Sequence, residues 1–310
     1  MALQDRFDGL TPVAVGSPGH VWRARRRDVG DVVAVTLLDR EVAEQAPRVA
    51  VRLAQVDDPH LVHVLDVVND EGRTILIEQW VEGATLDRTI GDGGEISQQH
   101  AIATVIGVLD GLSVAHENGV AHGDLRPEVV LIESATGAPR LFGFGLGVPI
   151  PGTAARGTPE TISPEAAAGR PPDPRSDVYS AGCLLFWLLT GTPPFVRSTA
   201  AAVLDAHVRN PMPWLPGAPS DVRQVVRSAM AKDPNARYAS ASEMADALHD
   251  AASRRFGEGW DDVSALASRA AGVAAELGPV AARSQGEDPT ASPVDPATGT
   301  APLRPAAPRA

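Results

Sequence analysis

Few side chains in this 310-residue chain combine a reactive type with a telling spacing. Arg23, Arg25, Arg26 and Arg27 form a basic run that could hold a phosphorylated or acidic partner, although such runs are more often a solvated face. The eight histidines show no pairwise ligand spacing, so no metal site is expected. Cys183 is the single cysteine. It excludes an intramolecular disulfide, and its apolar neighbours make it a core residue rather than a reactive thiol. Of the 27 basic residues only Lys232 is a lysine, which closes any mechanism that needs a lysine outside Ala231–Asp233.

The balance of 27 basic to 39 acidic residues gives a net charge of −12 and argues against a nucleic-acid partner or a chain-wide attraction to anionic lipid. A hydrophobic share of 44% with 21% charged residues is that of a soluble globular protein. The longest clean apolar run, Ala181 to Leu189, falls far short of the roughly 18–20 residues that span a bilayer. Asp5 and Asp8 stand where a signal peptide would be apolar. The expectation is a cytoplasmic protein with no direct membrane span.

The elements that must position any site fall into two groups. Val13–Val15, His20–Ala24, Val32–Leu38, Val62–Val68 and Thr74–Trp80 read as strands, the first two flanking a Gly-containing turn. Glu41–Gln55 between them has helical spacing. After Gly83 the pattern turns helical, with Gln98–Asn118, a nearly all-apolar Ser176–Thr190, and amphipathic Asp221–Ala231 and Ser242–Ala252. Trp260–Leu277 reads as one further helix. From Gly286 the composition shifts to Pro, Ala, Thr and Asp, which cannot bury enough surface to offset ordering entropy. The expected organisation is a β-rich lobe over residues 1–82, a larger helical lobe over 83–250, an appended helix in 251–285 and a disordered tail in 286–310.

Eight segments in order resemble those of bacterial Ser/Thr protein kinases of the eukaryotic type, over about four-fifths of the chain. Ala14 to Val21, with Gly16 and Gly19, resembles the Gly-rich loop over ATP. Val33-Ala34-Val35-Thr36 resembles the strand of the phosphate-binding lysine. Ile77 to Gly83 looks like the hinge that holds adenine, and His122 to Val129 like the catalytic loop. Gly143-Phe144-Gly145 stands where a metal-binding Asp-Phe-Gly belongs. Gly157 to Glu165 resembles the end of the activation segment, Ser176 to Gly182 the start of the central helix, and Asp233 to Arg237 the late arginine segment.

The resemblance implies an α+β, two-lobed kinase-like fold and assigns the residues. Val21, Ala34 and Leu131 would sandwich a base, with Glu78 and Trp80 in the hinge. Asp124 would be the base, Asp177 would hold the catalytic-loop backbone, and Glu165 would pair with Arg237. Leu53, Val64, His122 and Phe144 would stack between the lobes. The departures lie in the phosphate and metal machinery. Thr36 replaces the lysine, and its glutamate partner falls at Val49 or, one turn away, at Glu44 or Gln45. Val129 and Gly143 replace the metal ligands, Gly123 the arginine before Asp124, and Arg126 the catalytic lysine. Valine and glycine supply no oxygen for magnesium, and Pro18 at the loop tip has no N–H for phosphate.

These losses lead to the expectation of a pseudokinase: a regulatory or scaffold module without ordinary phosphoryl transfer, with Asp124 a vestigial base. No cofactor is expected beyond ATP or ADP held without metal. The expected partners are proteins, among them a genuine Ser/Thr kinase and a phosphothreonine-binding domain, with Thr153, Thr161, Thr290 and Thr298 as candidate phosphorylation sites. The alternatives are a degenerate Ser/Thr kinase with weak or atypical ATP-dependent activity and a metal-independent nucleotide sensor.

Overall fold

A computed structural model describes residues 3–16, 19–70, 72–91, 96–147, 149–150, 152–277 and 282–283. The turn tip at Ser17 and Pro18, the tail from 286 and its Thr290 and Thr298 lie outside the described residues.

The smaller lobe opens with one helical turn, α1 (Leu3–Arg6), and builds an antiparallel sheet from β1 (Phe7–Gly16), β2 (Gly19–Arg26), β3 (Val32–Leu38), β4 (Val64–Asp70) and β5 (Arg73–Gln79) in the order β4-β5-β3-β2-β1. The helical segment between β3 and β4 divides into α2 (Arg40–Ala43) and α3 (Ala46–Leu53) rather than running unbroken. Pro47 explains the division. Lacking an N–H, it is tolerated in a first helical turn and would break the interior of a longer helix.

The larger lobe follows in chain order with β6 (Gly83–Thr85), α4 (Leu86–Ile90) and α5 (Gln98–Glu117). Next come β7 (Val130–Glu133) and β8 (Pro139–Leu141), which complete a small sheet in the order β6-β7-β8. The helices α6 (Pro164–Ala167), α7 (Pro174–Thr190), α8 (Ala200–Arg209), α9 (Ser220–Ala229), α10 (Ala241–Phe256) and α11 (Ser264–Leu277) follow, and the two-residue β9 (Ala282–Arg283) pairs parallel with β1.

Alternation in the smaller lobe separates two faces. Val33, Val35, Ile75 and Ile77 fill an outer core, while Leu38, Val64 and Leu76 join the core shared with the larger lobe. The apolar α7 is buried along most of its length and packs against α5, as its all-round hydrophobicity requires. Its start is fixed by a capping box between Asp173 and Ser176, with Pro174 as its first residue. α10 runs on to Phe256, and Leu266 and Ala270 of α11 sit in the same core as α5. The fold is therefore α+β and two-lobed. Among the described residues no helix is long and apolar enough to cross a membrane.

Candidate active site

The loop before β7 is built around one buried carboxylate. Asp177, near the start of α7, is 1% exposed; it accepts from the His122 N–H at 2.7 Å and the Gly123 N–H at 2.8 Å, and His116 Nε2 lies 2.8 Å away. His122 itself is fully buried. Its Nδ1 accepts from the Asp124 N–H at 3.2 Å, which leaves Nε2–H to donate to the Phe142 carbonyl at 3.0 Å. Burial holds this imidazole below its usual pKa, so it serves as a neutral strut. Its ring rests 4.6 Å from that of Phe144, and Phe144 shares a core with Leu53 and Val64. The four residues expected to stack between the lobes thus lie in one packed region.

Asp124 is held from two sides. The Thr158 N–H donates to Oδ1 at 2.6 Å, and Arg126 Nε lies 3.5 Å from Oδ2. This bond to Oδ1 comes from the Thr158 main chain, so side-chain identity at 158 does not set it. Arg126 Nε is buried without a hydrogen-bond partner, and its Nη1 lies 3.4 Å from Glu128 Oε2, which also lacks one. Gly123, Asp124, Thr158, Thr161, Pro172 and Asp177 line a recess beside this pair. Thr161 is 1% exposed there, so its hydroxyl is closed to another kinase and the reading of it as a phosphorylation site is corrected. Thr153 is half-buried, its hydroxyl donating to the Ile150 carbonyl at 2.9 Å.

A second buried carboxylate braces the end of the activation-like segment. Arg237 donates from Nη1 and Nη2 to the two oxygens of Glu165, both at 2.7 Å, and the Ser176 hydroxyl adds a bond at 2.6 Å. Burial raises the Glu165 pKa, but these bonds outweigh it and bring the group down to about 2. Arg237 also donates to the carbonyls of Ala231 and Arg175.

The phosphate and metal positions contrast with this. Thr36 is buried on β3, paired with Leu76 of β5. Val49 is the inward residue of α3, because a Cβ on Gly145 would lie 2.8 Å from its Cγ2; Glu44 and Gln45 are exposed. A Cβ on Gly143 would lie 3.5 Å from Val129 Cγ1. Two apolar neighbours thus fill the place where oxygen ligands are needed, and these positions do not fit a magnesium ion. Among the described residues no group of three or more His, Cys, Asp or Glu side chains could hold a metal.

The base end of the cleft is different again. Ala34 and Leu131 are half-buried, as is Val21, which pairs with Thr36. Gly16 and Gly19 pair at the end of the β1–β2 hairpin. Arg23 spans to the hinge, 3.3 Å from Glu82 and stacked over Trp80, whose indole N–H is buried without an acceptor. Glu78 is 7% exposed, and burial alone raises its pKa to about 7. The sequence reading took Glu78 only as a hinge position. A charge ending the apolar run Ile75-Leu76-Ile77 is the signal that its side chain is unusual. The remaining arginines of the basic run are engaged: Arg26 with Asp31 at 2.7 Å, Arg27 with Asp8 at 2.6 Å, and Arg25 with the Gly30 carbonyl.

Known proteins resemble this chain in sequence. The protein kinase domain family matches residues 10–249, most of the chain. The chain belongs to the protein kinase family. The kinase domain is 34% identical over 263 residues to the serine/threonine-protein kinase PknB of Mycobacterium leprae, covering 78% of this chain and 42% of that protein. It is 32% identical over 255 residues to the probable serine/threonine-protein kinase PknB of Bifidobacterium longum, covering 74% and 37%. A probable serine/threonine-protein kinase of Streptomyces coelicolor is 31% identical over 264 residues, covering 78% and 39%. The chain therefore spans about two-fifths of the length of these curated relatives.

This finding corrects the expectation of a pseudokinase scaffold. At about one-third identity over most of the chain, relatives named as Ser/Thr protein kinases point to an active kinase. The scaffold reading rested on the departures at Thr36, Val49, Gly123, Arg126, Val129 and Gly143, although Asp124, Asp177 and the Glu165–Arg237 pair are retained.

Proposed function

We propose that this chain is a Ser/Thr protein kinase-like enzyme of atypical kind, which transfers the terminal phosphoryl group of ATP to a Ser or Thr hydroxyl of a protein. The observation that carries this reading is the held pair of Asp124 and Arg126. The carboxylate is oriented by the Thr158 N–H at 2.6 Å, and a guanidinium with an unsatisfied N–H stands 3.5 Å from its other oxygen. Such a carboxylate can accept the proton of an acceptor hydroxyl as the new P–O bond forms and the bond to ADP breaks. Arg126 adds positive charge beside developing negative charge, the main requirement of phosphoryl transfer. The reading takes ATP as substrate with no metal ligand from Val129 or Gly143, and so predicts a slow transfer.

The test is incorporation of radiolabelled phosphate from ATP, with magnesium and with manganese, into a generic Ser/Thr substrate. Wild type should label slowly, and Asp124→Asn should lower the rate by about a hundredfold or more. No labelling by wild type, or equal labelling by the variant, overturns the proposal.

A further inference from the structure

Glu78 is the buried group that the transfer chemistry leaves unused. It pairs with Ala34 of β3 and Val64 of β4, so its side chain lies on the sheet face that carries Thr36 and Leu76, turned toward the interlobe side. Among the described residues no hydrogen bond or ion pair reaches its carboxyl. On its face of the sheet stand Ala34 and Thr36 of β3, Val64 of β4 and, one strand further, Arg23 and Val21 of β2. The charged and titratable side chains on and beside the neighbouring strands β2 and β4 are committed elsewhere. Arg23 of β2 is bound to Glu82, Asp66 of β4 to Arg6, and His63 before β4 to the Val56 carbonyl.

A buried carboxyl with no partner is costly as an anion and stays neutral instead. In its neutral form it offers one O–H donor and one acceptor oxygen. An adenine edge offers the complement, an amino donor beside a ring-nitrogen acceptor. The anion would instead meet the ring-nitrogen lone pair and repel the phosphates, with Thr36 rather than a cation to compensate.

We propose that the cleft takes an adenine nucleotide together with a proton held on Glu78, whose neutral carboxyl reads the amino edge of the base. This rests on the reading of the cleft as an ATP site given above. It makes Glu78 a specificity-determining residue for the nucleotide.

The test is titration calorimetry of the full chain with ADP and with adenosine at pH 6, 7 and 8, in two buffers of different ionisation heat. Adenosine has no phosphate to titrate, so its pH dependence reports the protein. Both ligands should bind about tenfold more weakly at pH 8 than at pH 6 and take up a fraction of a proton on binding. Glu78→Gln, a lasting mimic of the neutral acid, should bind with a flat pH profile and no proton uptake. Glu78→Leu provides the same flat profile should the amide variant fold poorly. Affinity for adenosine that is constant or rises with pH overturns the inference, as does a variant that keeps the wild-type profile or a wild type that binds neither ligand. Proton-linked binding without phosphate incorporation supports this inference and overturns the transfer reading. Incorporation with pH-indifferent binding does the reverse.

Discussion

Glu165 and Glu78 are both buried glutamates, 4% and 7% exposed, and they titrate in opposite directions. Burial acts on both. Glu165 meets the Arg237 fork and the Ser176 hydroxyl and falls to about 2, whereas Glu78 meets apolar side chains and rises to about 7. The first is satisfied within the chain and ties the activation-like segment to the late arginine segment. The second has its bonding capacity left over in a cleft. Satisfaction marks a structural brace; its absence at equal burial marks a place that a ligand completes.

The strongest way to break this comparison is to make Glu165 resemble Glu78. Arg237→Leu leaves Glu165 buried with only the Ser176 hydroxyl as partner, and denaturant unfolding should show a loss of about 3–5 kcal/mol at pH 7. A loss below about 1 kcal/mol would mean that the brace is not one.

The next largest effect runs the other way. Glu78 has a folded pKa of about 7 against an ordinary value of 4.5, so the native state holds the proton more tightly. The penalty of ionising it is absent below pH 4.5, grows through that window and is complete above pH 7. Glu78→Leu should therefore stabilise the protein by about 3 kcal/mol at pH 8 and by much less near pH 4.5. His207, held neutral by burial with a pKa of about 3, loses stability as pH falls below 6.5 and overlaps this window. The difference between variant and wild type at each pH isolates Glu78. A gain that does not shrink on acidification would mean that packing, not charge, produced it.

The smallest effect sharpens the contrast from the surface. Arg23 and Glu82 form an ion pair at 3.3 Å with 40% and 70% of their side chains exposed. Glu82→Gln should cost less than about 1 kcal/mol and lose even that in high salt.

The fold was readable because each segment's identity follows from local pattern: β-branched and apolar runs in β3 and β5, an all-apolar α7, and the order of motifs that resemble one family. Less legible were contacts that depend on where the backbone arrives. The Thr158 main chain, not its hydroxyl, reaches Asp124, and no side-chain pattern encodes that. Thr161 is buried by a recess whose walls come from residues as distant as Ser180, so its place in a loop-like stretch misled. The division of α2 from α3 was written in Pro47 and was passed over because the apolar spacing continues across it. At the candidate site, substitutions were plain in the sequence, but the state of Glu78 required knowing that the one arginine on its face, Arg23, is turned to Glu82.

The meeting of α3 with Gly145 has a mechanical consequence. The helix rests its Val49 methyls on bare backbone. A contact of that kind is indifferent to ionic strength. One extra carbon at position 145, where φ is +69°, would strain the loop and press on the helix without altering a single charge.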